Sequence, residues 1–162
     1  MQSKLDRIKE LDAQLNSLHQ ERSKIEKEFA AEMAAASIEK IKEWGLNKDS
    51  NIVLFTKESG RPWNIAHIFK IKEIDFDNAH LDTLHLSYEE FDYEYFARAQ
   101  SCRISFSSLI DFENEFNLYI VDSVQAAILS QYFCELKLNY QNYKKYEELI
   151  AKNASLSIKT SV

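Results

Sequence analysis

Ile8, Leu11, Leu15, Leu18, Ile25 and Phe29 follow one another at alternating steps of three and four. That spacing draws one apolar stripe along a helix of 3.6 residues per turn. Arg22 stands where the next apolar residue of the series is due, so the seam runs for about three heptads with one interruption. Ser3 with Asp6 three positions on resembles a capping box, and Gly45 after Trp44 is placed as the stop, with Lys40 and Lys42 suited to the helix C-terminus. Residues 1–44 are therefore expected to form one helix of roughly 65 Å at about 1.5 Å per residue. Beyond Phe29 the stripe moves round to Ala34, Ile38, Ile41 and Trp44, which look like an anchor into a globular head.

The pattern then changes period. Residues 51–56 (NIVLFT) read as a strand and residues 58–62 (ESGRP) as the turn after it. A longer extended stretch covers residues 63–76, and its alternation slips between Ile71 and Ile74 in the manner of a β-bulge. Asp77-Asn78 marks a turn before a strand at residues 81–86. Ser87 with Glu90 makes a capping box that predicts a helix over residues 88–100. A short strand at residues 103–106, an ambiguous stretch at 108–115 and a buried strand at 116–121 (FNLYIV) follow. Asp122 as cap, with Gln125 at the capping-box position, opens a second long helix over residues 123–152.

This order predicts an α+β fold: a long N-terminal helix, a mainly antiparallel sheet with helices on one face, and a long C-terminal helix. The expected organisation is a helical or coiled-coil extension at 1–44, a head at 45–153 that includes the C-terminal helix, and a flexible tail at 154–162, in which Leu156 and Ile158 are able to dock. The first helix is too long for such a head to cover, so its seam calls for a partner helix. The internal candidate is the C-terminal helix; the external one is a second copy, giving an oligomer through Ile8, Leu11, Leu15, Leu18, Ile25 and Phe29. In a parallel pair Arg7 would face Asp12 but Glu21 would face Glu26, so an antiparallel pair suits the charges at least as well.

Charge changes this picture. The formal net charge of −6 comes from one block: residues 73–122 hold twelve acidic and two basic side chains. Glu73, Asp75, Asp77 and Asp82 lie around a strand and its turn; Glu89, Glu90, Asp92 and Glu94 fall on the expected helix, among Tyr88, Phe91, Tyr93, Tyr95 and Phe96. Acidic residues beside aromatics suit a recognition surface for a protein with a basic face. A specific version is an inhibitor that masks a nucleic-acid-binding groove by DNA mimicry; a solvated face that keeps the chain soluble is the plainer alternative. Direct nucleic-acid binding is disfavoured, since the block repels phosphates. Lys57, Arg61, Lys70 and Lys72 near Trp63 and Phe69 are a small basic counter-signal.

Candidate chemistry is sparse. Two glycines and one proline leave no phosphate-cradling loop, and no nucleophile elbow is present. His80, Asp82 and His85, with His67 on a neighbouring strand, offer metal-compatible donors, but strand alternation puts residues 80 and 82 on one face and 85 on the other. Cys102 and Cys134 match no zinc or redox spacing and suit reduced thiols. No cofactor, metal or catalytic residue is assigned. The expectation is a cytoplasmic, non-enzymatic protein-binding module, with an assembly protein as the alternative and a metal-dependent enzyme behind both; no signal peptide or bilayer-length apolar run is expected.

Overall fold

A computed structural model describes residues 2–57, 65–91, 94–135 and 141–158, with side chains accounted for outside residues 2, 88–91, 94–98 and 132–135. Helix α1 spans Gln2–Glu43. The strands β1 (Ser50–Thr56), β2 (Ala66–Asp75), β3 (His80–Phe91) and β4 (Glu94–Ser105) follow, then α2 (Phe106–Asp111) and a 3-10 turn at Phe112–Asn114. The chain continues with β5 (Phe116–Asp122), α3 (Ser123–Glu135), α4 (Tyr143–Asn153) and β6 (Leu156–Ile158). Every strand pairs antiparallel with its neighbours in one six-stranded sheet of order β4-β3-β2-β1-β5-β6. The α+β class and the antiparallel sheet are as the sequence predicts. No helix among the described residues is long and apolar enough to cross a membrane.

The chain divides into two compact units, Met1–Ala36 and Ser37–Val162, and the division falls inside α1 rather than at its end. The last turns of α1 belong to the second unit because Ile38, Ile41 and Trp44 pack in its core. Gly45 adopts φ +67°, the left-handed conformation that ends a helix without a Cβ clash, and its N–H donates to the Lys42 carbonyl at 3.0 Å.

Alternation along the strands builds two cores. Ile52 and Leu54 of β1, Phe69 and Ile71 of β2, and Leu118 and Ile120 of β5 face one side with Ile41, Phe106 and Leu109. Val53, Phe55, Ile68, Tyr119 and Val121 face the other, against Ala126 and Leu129 of α3 and Tyr143 and Ile150 of α4. Helices thus cover both faces, not one, and all seven residues of the central strand β1 are buried. A run such as NIVLFT, apolar at consecutive positions, requires cover on both sides.

Three further expectations are corrected. The stretch expected as a helix at 88–100 is the end of β3 and most of β4, and their ladder runs unbroken from His80↔Ser105 to Phe91↔Glu94. Cross-strand pairing of an aromatic-rich segment outweighs a local capping signal. The single helix expected at 123–152 is two, α3 and α4, with residues 136–140 outside the described part. Asp122 does cap α3, accepting from the Gln125 N–H at 2.7 Å. Within the stretch 154–162 expected to be a flexible tail, Leu156–Ile158 form β6, and Leu156 and Ile158 pack on the first core; residues 159–162 lie outside the described residues. The expected turn at 58–62 lies outside the described residues. The bulge appears as a register shift between Ile71 and Glu73.

Candidate functional site

Three places bear on function. The first is the α1 seam. Leu5, Ile8, Leu11, Leu15, Leu18, Ile25, Phe29 and Met33 are each 48–63% exposed. Polar flanks are stapled within the helix: Arg7 to Glu10 and Arg22 to Glu26, both at 2.7 Å, and Lys24 to Glu28 at 3.8 Å. Such exposed pairs contribute only a few tenths of a kcal/mol each. Arg22, which interrupts the seam, therefore compensates Glu26, the residue that would meet Glu21 in a parallel pair.

The second is the acidic block, which the sheet separates into two groups. Glu73, Asp75 and Asp82 line a shallow cavity at the β2–β3 turn together with Asn78, His80 and Arg103. Their charges are met locally. Arg103 donates to both Asp82 oxygens, at 2.8 and 3.1 Å, and holds that carboxyl below the usual range. Asn78 donates to both oxygens of Asp75, through its side chain at 2.8 Å and its backbone N–H at 2.9 Å, with the same effect; His80 lies 3.7 Å away. Asp77 sits in the turn itself, followed by Ala79 at φ 53°. Glu89, Glu90 and Glu94 belong to the far ends of β3 and β4, where Glu89 pairs with Phe96 and Glu90 with Tyr95; Asp92 lies outside the described residues. Seven residues separate Asp82 from Glu89, about 23 Å along a strand. Between them the ladder carries Lys70 beside Leu84 and Arg98 beside Ser87, and Lys72 donates to Ser101 at 3.1 Å.

The third place was not anticipated. His67 and His85 are diagonal neighbours on β2 and β3, and His67 Nδ1 lies 2.9 Å from His85 Nε2. They line a cavity of about 450 Å³ with Leu54, Phe69, Phe112, Phe116, Ser108, Asp111 and Glu115. The rings are ordered: Phe69 stacks on His85 with centroids 4.4 Å apart and planes 12° apart, and Phe112 stacks on Phe69 at 6.0 Å. Phe116 meets His67 edge-on at 5.3 Å and Phe112 at 6.1 Å. Burial, and then the neighbouring ring, press the His67 pKa down to about 4, and burial lowers His85 as well. Both rings are therefore neutral near pH 7, sharing a single proton between the facing nitrogens.

The four residues weighed as metal donors are thus distributed as two pairs. His67 and His85 bond to each other, while His80 and Asp82 lie in the acidic cavity. Among the described residues no group of three or more His, Cys, Asp or Glu side chains is arranged to hold a metal ion. Cys102 is a free thiol packed partly against the first core; the Cys134 side chain lies outside the described part.

The sequence had weighed His67 and His85 only as metal-compatible donors beside His80 and Asp82, or as ordinary histidines, because their meeting as a pair depends on strand register. Phe112, Asp111 and Glu115 come from the stretch whose structure was ambiguous in sequence. Ser105 organises it, capping α2 by accepting from the Ser108 N–H at 3.2 Å. Lys40 then ties the end of α1 to the 3-10 turn through Glu113 at 2.9 Å, and Lys57 Nζ donates to the Glu113 carbonyl. Comparison with protein-family models, with curated proteins and with solved structures gives no match to this chain.

Proposed function

We propose that this is a non-enzymatic, cytoplasmic protein-binding module that assembles through α1, with a second copy of the chain as the partner. The observation that carries the reading is the row of half-exposed apolar side chains from Leu5 to Met33 on a single continuous helix. An isolated helix in water gains little from propensity alone, and natural helices draw most of their stability from packing an apolar face. The seam has the alternating three-four spacing that a second helix fills by knobs-into-holes packing. Covering the exposed half of one such side chain contributes about 1 kcal/mol, and a paired seam does this on both helices. The test is the native mass of the intact chain by sedimentation across micromolar concentrations. A dimer or higher assembly is expected; a monomer throughout would sink the self-assembly reading.

The acidic residues support a second reading, a surface for a partner with a basic face. The described ones belong to the adjacent strands β2, β3 and β4 and to the β2–β3 turn. Their division into two groups with lysine and arginine between them lends less support to the DNA-mimic version, which needs carboxylates in a continuous row. Charge reversal at Glu89, Glu90, Asp92 and Glu94 is expected to abolish capture of a basic partner; unchanged capture would remove the acidic surface from the account.

A further inference from the structure

We infer that the second copy on α1 lies antiparallel to it, in the register that sets Ile8 of each chain against Ile25 of the other and Leu15 against Leu18. This rests on assembly through α1 and names the arrangement that the seam accepts. The seam is open to receive a partner: Ile8, Leu11, Leu15, Leu18, Ile25 and Phe29 are each 48–63% exposed.

Arg22 selects the orientation. It stands seven residues after Leu15 and seven before Phe29, so it lies on the same stripe as they do. Two helices running in the same direction and in register bring each seam residue against its own copy. Arg22 then meets Arg22, Glu32 meets Glu32 and, on the flank, Glu21 meets Glu26. Like charges set together across an interface act against that pairing. Reversing one helix removes all three clashes. Arg22 now lies against Leu11, where its aliphatic stem packs while the guanidinium reaches water and keeps its 2.7 Å bond to Glu26 of its own helix. Lys4 comes over the ring of Phe29, an attractive pairing of a cation with an aromatic face.

The flanks agree. In this register Arg7 stands beside Glu28, Asp12 beside His19 and Gln14 beside Glu21, with no like-charged pair among them. Because the arrangement is twofold symmetric, each of these contacts occurs twice. Register is fixed by the same charges. Sliding by one heptad one way sets Arg22 against Lys4; sliding the other way sets Glu21 against Glu21 and Glu32 against Ile8.

The experiment uses the full chain with Cys102→Ser and Cys134→Ser, spin-labelled at Asp6→Cys or Gln20→Cys on the face away from the seam. Distances between labels are measured at concentrations where the native mass is that of an assembly. In the antiparallel register residue 6 stands level with residue 27 of the other chain, and residue 20 with residue 13. The labels are then about 32 Å apart along the axis for position 6 and about 10 Å for position 20. A long distance at position 6 and a short one at position 20 are expected. Equal short distances at both positions would overturn the orientation and leave assembly standing. A monomeric mass with no coupling between labels would remove the assembly as well. Charge exchange gives a second readout. Arg7→Glu is expected to weaken assembly about five- to tenfold, and adding Glu28→Arg to restore it. Failure of that rescue would overturn the register.

Discussion

The stripe of α1 and the strand β1 are built from the same residue types and meet opposite fates. Every side chain of β1 is buried, with Ile52 and Leu54 in one core and Val53 and Phe55 in the other. In α1 the leucines, isoleucines and Phe29 of residues 5–29 keep about half or more of their surface open. The difference lies in how each element finds cover. A central strand receives neighbours on both edges and layers on both faces from its own chain. A helix buries one stripe, and in the unit Met1–Ala36 the chain supplies nothing but the helix itself. Apolar character therefore marks a folding core in one region and an exposed stripe in the other.

The comparison can be broken first at its buried side. Phe55→Ala removes a fully buried ring that meets Tyr119 edge-on at 6.1 Å. It is expected to cost about 3–5 kcal/mol in denaturant unfolding. A loss below about 1 kcal/mol would mean that β1 is not the centre of the core.

Acid gives the next effect. His67 is 9% exposed and its pKa lies at about 4 in the fold against 6.5 when free, so the unfolded chain binds the proton more readily. Stability is therefore complete above about pH 6.5 and declines as pH falls towards 4, by about 3 kcal/mol in total for this residue. His85, also lowered, acts in the same direction. Unfolding curves collected between pH 7 and 4 should show this slope and lose much of it in His67→Gln. An identical slope in the variant would show that other groups govern acid stability.

The exposed side is tested by Leu11→Asp with Leu18→Asp. Carboxylates in a paired seam are expected to weaken assembly on the order of a hundredfold or more, while the unfolding of Ser37–Val162 stays unchanged. An unaltered native mass would place the interface elsewhere. Between the two regions lies Gly45. A Cβ built there meets nothing within 4 Å, so Gly45→Ala should cost only the left-handed backbone term, roughly 1 kcal/mol in thermal or denaturant unfolding. A much larger loss would indicate that the joint after α1 holds more than a helix stop. The smallest effect is expected at the turn charges. Glu73→Lys with Asp77→Lys should leave the thermal midpoint unmoved; a large drop would show that these carboxylates hold the β2–β3 turn.

Local signals survived where nothing competed with them. Gly45 as the stop of α1, Asp122 as the cap of α3 and the slip after Ile71 each depend on backbone chemistry within a few residues, and each appears in the fold. The capping box at Ser87 and Glu90 failed for the complementary reason. Its local hydrogen bonds competed with a ladder that pairs residues 80–91 with 94–105, and the ladder prevailed. The anchoring of α4 was equally hidden: Glu147 accepts from Tyr119 Oη and from Asn117 Nδ2, both at 2.6 Å, across about thirty residues of chain. Burial and that carboxylate push the Tyr119 hydroxyl pKa well up, keeping it a donor.

By itself the sequence determined the long helix, its seam, the antiparallel α+β class and the concentration of acid between residues 73 and 122, because periodicity and composition are properties of the chain alone. Tertiary structure decided that helices cover both faces of the sheet and that the acidic block is divided along β3, with Asp75 and Asp82 compensated at the β2–β3 turn. It also brought His67 and His85 into a phenylalanine-walled cavity. Those outcomes depend on strand register, which brings residues eighteen positions apart to 2.9 Å, and local pattern carries no information at that range.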